Sequence, residues 1–215
     1  MLEEEVDYFR DFLDLIQKTK KNNNESFKQR EIEIKAANLP SIVEDNASDF
    51  YDPYDGLIDD AYRSSELEQL MLKTLIIGIF IFLEHSINFV CWKLEKEHKV
   101  LFSANDLKGN GITRSIKYIN KVLDINFPID EKIRKEFEIA RIIRNSLVHT
   151  NAVVDKKDLS KIHTFISTNP DLIRISELRK ITLTENYANC LIKLSSKFCR
   201  DLGEIVSQSN SNNVS

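Results

Sequence analysis

The sequence predicts an all-α protein. The 215 residues include five glycines and four prolines, whereas sandwiches and barrels need many tight turns and usually carry more. Long runs are rich in Leu, Ile, Lys and Glu, and their apolar residues recur at steps of three and four. Hydrophobic residues make up 42% of the chain and charged residues 30%, which is enough apolar material for a buried core. We therefore expect a bundle of amphipathic helices.

The first 60 residues predict two helices and a loop. A first helix is expected over residues 3–20, because its apolar side chains share one face. That face consists of Val6, Phe9, Phe12, Leu13 and Ile16. The polar run 18–24 should end this helix, and a second helix over 26–37 should stop before Pro40. Residues 40–60 predict a loop that separates an N-terminal extension from the main domain.

A long central helix is predicted from Ser65 to about residue 96. Ser65 and Glu68 fit the capping-box pattern, in which the serine accepts from a free backbone N–H and the glutamate reaches back. Residues 70–90 are apolar nearly all round, as expected of the most buried helix. Glu84 interrupts this surface, and a carboxylate in such surroundings is costly unless it is paired.

Two shorter helices are predicted next. The first covers residues 112–123 and turns its isoleucines inward, with a basic face consisting of Arg114, Lys117 and Lys121. The second covers residues 129–148 and is introduced by Pro128 and Asp130. The core stripe of this second helix consists of Ile133, Phe137, Ala140, Ile143 and Leu147.

The C-terminal third is less regular. Residues 150–174 have no clear assignment, and residues 175–183 fit either a short strand or a loop. Thr184 is expected to cap a last amphipathic helix over 185–207. These elements divide the chain into an N-terminal helical extension with a loop, a main helical domain and a disordered tail. The divisions are residues 1–60, 61–207 and 208–215.

The end of the second short helix carries the densest chemistry in the chain. Arg144, Asn145 and His149 fall within six residues and form the pattern R-N-x-x-x-H. This pattern resembles the signature of the HEPN superfamily, a group of helical domains many of which are metal-independent RNases. Residues 82–88 and 106–114 also look like the segments that precede the motif in bacterial HEPN proteins. The resemblance covers roughly residues 62–207.

The resemblance implies a catalytic role for Arg144, His149, Asn145 and Glu84. RNA cleavage without a metal needs a group that removes the 2′-OH proton, and an imidazole titrates near neutral pH. A guanidinium can donate two parallel N–H bonds to phosphoryl oxygens as charge develops. Asn145 would bind the phosphate or hold the imidazole, and Glu84 would orient Arg144. The product would carry a 2′,3′-cyclic phosphate.

Helix geometry keeps Arg144 and His149 apart. At about 100° per residue, side chains five positions apart point about 140° away from each other. Either the helix ends near Val148 and frees His149, or two copies of the motif converge across a two-fold axis. The resemblance implies the second arrangement, an active site at a homodimer interface, usually with some of the first.

Four further cations are candidates for RNA contacts. Arg141 shares a helix face with Asn145 and His149, and can take the phosphate instead of, or together with, Arg144. The basic face of Arg114, Lys117 and Lys121 would contact phosphates, although a solvated charged face explains it equally well. The net charge of −4 means that any nucleic-acid binding must come from such a local patch.

Other chemistries find little support in the sequence. Glu95 and His98 form the single E-x-x-H pair, whereas a di-metal bundle needs two, so we predict no metal and no cofactor. Three cysteines without a C-x-x-C do not predict a disulfide framework. The acidic start is not a signal peptide, and the most apolar stretch has nine residues, Leu75 to Leu83. We therefore expect a cytoplasmic protein without a membrane partner.

Two functions from different classes follow. The first is a homodimeric endoribonuclease that acts as a toxin or as an abortive-infection or phage-defence effector, with an antitoxin or a defence protein as possible partner. The second is a non-catalytic HEPN module that binds RNA or a nucleotide, or dimerises, within a larger defence or regulatory complex.

Overall fold

The computed structural model describes residues 2–37, 53–109 and 111–212, and this part of the chain contains six α-helices. They are α1 (Leu2–Ala36), α2 (Pro53–Glu97), α3 (Gly111–Lys121), α4 (Glu131–His149), α5 (Leu159–Thr168) and α6 (Glu185–Asn212). Two three-residue strands, β1 (Ile173–Ile175) and β2 (Ile181–Leu183), pair as an antiparallel hairpin. The predicted all-α class is confirmed.

Helix α2 is the centre of the bundle, as its composition predicts. Its apolar side chains between Leu72 and Leu94 are mostly buried, and α1, α3, α4 and α6 all pack against it. The rings of Phe9 on α1 and Phe82 on α2 lie 5.6 Å apart and join the N-terminal helix to this core. The first helix therefore shares the hydrophobic core of the main domain.

The break predicted at residues 18–24 is wrong, because α1 runs unbroken from Leu2 to Ala36. The polar side chains of this stretch find partners on other helices. Lys20 Nζ donates to Glu68 at 2.8 Å and to Glu185 at 2.9 Å, and the bond to Glu68 contributes most to raising the pKa of Lys20. Asn23 donates to Ser64 at 2.8 Å. Tertiary hydrogen bonds thus offset the weak helix preference of the polar run.

The predicted start of the central helix is also wrong. Helix α2 begins at Pro53, so Ser65 lies within it and caps nothing. Proline suits the first turn of a helix, where its missing N–H has no intrahelical partner to lose. An ion pair of 2.7 Å between Arg30 and Asp60 ties this added segment to α1. Of the loop predicted over 40–60, residues 53–60 are helical and residues 40–52 lie outside the described part.

Helix α2 is also long and apolar enough, by length and composition alone, to cross a membrane. The most apolar 18-residue window in Tyr54–Glu97 has a mean hydropathy of 1.8, and 56% of it is buried inside the fold. A core helix meets the same criterion, so this finding carries little weight. The absence of a membrane partner stays a prediction.

The chain after α4 forms a helix, a hairpin and a last helix. Helix α5 and the hairpin occupy the stretch without a clear assignment, and the strand alternative for residues 175–183 holds for β2. Gln69 of α2 donates to the carbonyl of Leu183 and accepts from its N–H, both at 3.0 Å, which fixes the hairpin on the core. Thr184 accepts from the N–H of Tyr187 at 3.2 Å, so the predicted cap of α6 is confirmed.

Helix α6 is longer than predicted. Residues 208–212 of the predicted tail continue the helix to Asn212, and residues 213–215 lie outside the described part. Its Phe198 ring lies 5.5 Å from Phe127 and 5.0 Å from Phe137, both edge-on, and so connects α6 to the motif helix α4. The N-cap of α4 is as predicted, because Asp130 accepts from the N–H of Ile133 at 2.7 Å.

Candidate phosphate-binding and catalytic site

The predicted partners Glu84, Arg144 and Asn145 lie together where α2 meets α4. Nη2 of Arg144 lies 3.9 Å from Oε2 of Glu84, and Nη1 donates to Oδ1 of Asn145 at 3.0 Å. The side chains of Arg144 and Glu84 are 25% and 29% exposed, so the pair remains accessible to solvent. The three residues form one polar cluster at the edge of the core.

Arg144 keeps donors available in this cluster. Its Nε is buried and has no hydrogen-bond partner among the described residues. Its Nη2 is 3.9 Å from Oε2 of Glu84, which is longer than a hydrogen bond. The guanidinium lies over the ring of Phe80, 5.7 Å from the centroid, within the range of a cation–π contact. Nε is shielded from solvent, so the accessible part of the guanidinium, which includes Nη2, is where a phosphate would accept.

Glu84 is held in place by the start of α3. Gly111, the first residue of α3, has φ +55°, and a Cβ at this position would overlap Oε1 of Glu84. The carboxylate therefore lies at a helix N-terminus, whose free N–H groups and dipole stabilise negative charge. Only glycine permits both the positive φ and the close approach.

A cavity of about 170 Å³ opens beside the cluster. Its walls come from α2, α3 and α4, and its lining residues are Phe80, Glu84, Gly111, Ile112, Thr113, Phe137, Arg141, Arg144 and Asn145. Arg141 faces it one turn before Asn145, as the shared helix face predicts. The cavity thus brings two guanidiniums, one carboxylate and one carboxamide to a single small space.

A larger groove of about 660 Å³ lies between α3 and α4 and shares Thr113, Phe137 and Arg141 with this cavity. The other lining residues are Ile116, Lys117, Asn120, Lys121, Arg134 and Glu138. Two of the three basic residues predicted on α3, Lys117 and Lys121, therefore face the motif helix. Arg114 lines neither space; it is half-buried, and its Nε has no partner among the described residues.

His149 lies apart from these groups. It is the last residue of α4, it is exposed, and it lines neither the cavity nor the groove. The helix does not end before it: the Ser146 carbonyl accepts from the N–H of Thr150 at 3.2 Å and from that of Ala152 at 2.8 Å. Helix α4 therefore ends at His149, one residue after the predicted end near Val148, and the histidine remains in the last turn.

A second cleft of about 860 Å³ lies on the neighbouring side of α4, against α5 and α6. Glu138 lines both the cleft and the groove, and it accepts from Nζ of Lys161 on α5 at 2.5 Å. Cys190 lines the cleft, and burial is the main cause that raises the pKa of its thiol. Burial also raises the pKa of Cys91, to about 12, so neither thiol is poised as a nucleophile.

The described residues contain no group of three or more His, Cys, Asp or Glu side chains placed to hold a metal ion. Glu95, half of the E-x-x-H pair, accepts instead from the N–H of Ala104 at 3.1 Å.

No family model, curated protein or solved structure matches this chain.

Four residues near the site were missed at the sequence level. Phe80 and Gly111 act through contacts between helices, which no local pattern reveals. Asn120 is one of several polar residues on an amphipathic helix, and nothing in the pattern of that helix distinguishes it from the others. Arg134 precedes Arg141 by seven residues, which is two helical turns, so the periodicity of α4 contained the information that would have placed it on the same face.

Proposed function

We propose that this chain is a metal-independent endoribonuclease of the HEPN type and that its active site is completed in a homodimer. The observation that carries the proposal is the cluster of Glu84, Arg144 and Asn145 beside a small cavity. A partly exposed arginine that lines a small cavity together with Arg141 and Asn145 and lies beside Glu84 fits a binding site for a phosphate.

The proposed roles follow from the donors and acceptors present. Arg144 would bind the scissile phosphate and stabilise the charge that develops on its oxygens. Glu84 would keep the guanidinium in position, and Asn145 would restrain it from the other side. His149 would accept the 2′-OH proton or supply a proton to the leaving oxygen. The products would be a 2′,3′-cyclic phosphate and a free 5′-OH.

The homodimer follows from the position of His149. One protomer points Arg144 and His149 about 140° apart on a continuous helix, so a single chain does not assemble both at one phosphate. Val148, next to the histidine, is 46% exposed, and Phe89 and Trp92 on α2 are 58% and 49% exposed. These apolar side chains offer surface that a second copy could cover.

In a cell, such an enzyme would act as a toxin or as an abortive-infection or defence effector, held in check by a partner protein. This part of the proposal rests on the resemblance of Arg144, Asn145 and His149 to the HEPN motif. The proposed compartment is the cytoplasm, where RNA substrates are found.

The test is cleavage of a short single-stranded RNA in the presence of EDTA. We expect cyclic phosphate ends and a loss of activity of about 100-fold or more in Arg144→Ala and in His149→Ala. A mixture of the two variants, after subunit exchange, should recover activity that neither has alone, because a mixed dimer keeps one intact arginine and one intact histidine. Full activity in either single variant would contradict the assigned roles.

A second candidate function is supported by the exposed position of His149. In a non-catalytic module, the same cluster would bind a phosphate of RNA or of a nucleotide without breaking it. Binding of RNA that stays intact on prolonged incubation, with affinity lost in Arg144→Ala and kept in His149→Ala, would favour this alternative.

A further inference from the structure

The groove between α3 and α4 is strongly and locally cationic. Its exposed side chains include Lys117, Lys121, Arg134 and Arg141, and none of these four is in an ion pair with a described residue. Among the described residues that line the groove, Glu138 is the one carboxylate, and Lys161 neutralises it at 2.5 Å. This groove therefore carries four unpaired cations in a chain whose net charge is −4.

The groove also leads to the candidate site. It shares Thr113, Phe137 and Arg141 with the cavity that contains Arg144. Arg134 and Arg144 are ten residues apart on one helix, which corresponds to about 15 Å along the axis of α4. A row of cations that ends at a phosphate-sized cavity suits a ligand with several phosphates in line.

We propose that the α3–α4 groove binds the single-stranded RNA that flanks the cleaved linkage, with Lys117, Lys121 and Arg134 on its phosphates. This inference rests on the proposed function, because it takes Arg144 as the place of the scissile phosphate. It adds Arg134 as a positioning residue, and it names the substrate class as single-stranded.

The size of the groove favours a single strand. Its floor includes Ile116 and Phe137, both buried, and its cations come from two helices, Lys117 and Lys121 from α3 and Arg134 from α4. A duplex presents its phosphates on a wide cylinder that does not enter a space of this size, whereas a splayed strand can enter it. A volume of about 660 Å³ is within the range that encloses one drug-sized ligand, so one or two nucleotides fit.

Asn120 supplies a polar contact in the groove that carries no charge. Its Oδ1 accepts from the N–H of Phe127 at 2.8 Å, which orients the amide and leaves the NH₂ group to donate. That donor can reach a base edge or a ribose hydroxyl. A groove that only neutralised phosphate charge would lack such an uncharged donor.

The experiment measures binding of a fluorescent 12-nucleotide RNA in the His149→Ala background, from 50 to 300 mM salt. The test variant adds Lys117→Gln, Lys121→Gln and Arg134→Gln. The control adds Lys132→Gln, Lys135→Gln and Lys156→Gln, which remove the same charge, the first two of them from the neighbouring side of α4. Each lost phosphate contact lowers the slope of log K against log salt by about 0.7.

We expect the test variant to lose about 2 units of slope and on the order of 100-fold in affinity at 0.1 M salt, and the control to lose much less. The same RNA annealed to its complement should bind more weakly than the single strand. Equal slopes in the test and control variants, equal binding of the duplex, or equally strong binding of polyglutamate would each overturn the inference.

Cleavage assays separate this inference from the proposed function. A dinucleotide carries a single phosphate, which Arg144 would hold, so the three groove substitutions, made with His149 intact, should affect its cleavage much less than they raise KM for the 12-nucleotide RNA. If no RNA is cleaved but the slopes differ as expected, the proposed enzyme is wrong and the groove stands. If RNA is cleaved but the salt slopes and KM are the same in the test and control variants, the proposed enzyme stands and the inference about the groove is wrong.

Discussion

Oε2 of Glu84 on α2 lies 3.9 Å from Nη2 of Arg144 on α4, and this pair connects the buried centre of the bundle to the motif helix. Both side chains are about a quarter exposed, so water screens their attraction and the pair adds at most about 1 kcal/mol to stability. Its value lies in orientation: the carboxylate limits the directions in which the guanidinium can point.

Substitution Glu84→Gln should therefore separate activity from stability. The amide keeps the shape of the side chain and removes the charge that holds Arg144, so RNA cleavage should fall by about 10-fold to 100-fold. The free energy of unfolding should change by less than about 1 kcal/mol. Cleavage kinetics and urea denaturation measure the two effects, and unchanged kcat/KM would remove Glu84 from the site.

Gly111→Ala should damage both fold and function. A methyl group at Gly111 meets the carboxylate of Glu84 and occupies a φ of +55°, so we expect a loss of about 1–3 kcal/mol and a displaced Glu84. Gly203→Ala is the matched control, because Gly203 lies within α6 with nothing within 4 Å of the added Cβ. It should stabilise by about 0.5–1 kcal/mol. Similar losses in both variants would contradict this account of Gly111.

Phe198→Ala should be among the costly core changes. Its ring packs edge-on against Phe127 and Phe137 and is 2% exposed, so truncation leaves a cavity under α4 and should cost about 3–5 kcal/mol. Tyr8→Ala is the control, since Tyr8 is 70% exposed and its loss should cost less than about 0.5 kcal/mol. Chemical denaturation of both variants tests the difference.

The pair of Glu138 and Lys161 should tune the charge of the groove. Lys161→Gln leaves the carboxylate of Glu138 unpaired beside the basic side chains, so RNA affinity should fall several-fold. Glu138→Gln should raise affinity by a similar factor, because it leaves Lys161 unpaired, and the double variant, which removes both charges, should resemble the parent. Titrations at 0.1 M salt measure these affinities, and a double variant that binds as weakly as Lys161→Gln alone would contradict this account.

The helices and their buried faces could be read from periodicity, because burial imposes the same spacing wherever a helix packs. The stripe of α4 was predicted correctly for this reason, and the cap at Thr184 was predicted from the residue type. The ends of α1 and α2 were not. Lys20 and Asn23 stabilise a polar turn through partners far away in sequence, and no local pattern contains those partners.

Part of the candidate site could also be predicted from the sequence. A local motif pointed to Arg144 and Asn145, and the structure brings Glu84 to them as expected. His149 remains in the last turn of α4, where the Ser146 carbonyl accepts from the N–H groups of Thr150 and Ala152. The role of Gly111 depends on how α3 approaches α2, which is a tertiary fact.

Because the last turn of α4 is unbroken, the number of residues between Asn145 and His149 fixes the direction in which His149 points. In a loop, the backbone could adjust to one inserted residue. Here it would swing the imidazole by about 100° around the axis and move it about 1.5 Å along it. A second copy that uses this histidine must bind in the orientation that the direction of the imidazole requires. A change of spacing would therefore require the two chains to meet at a new angle.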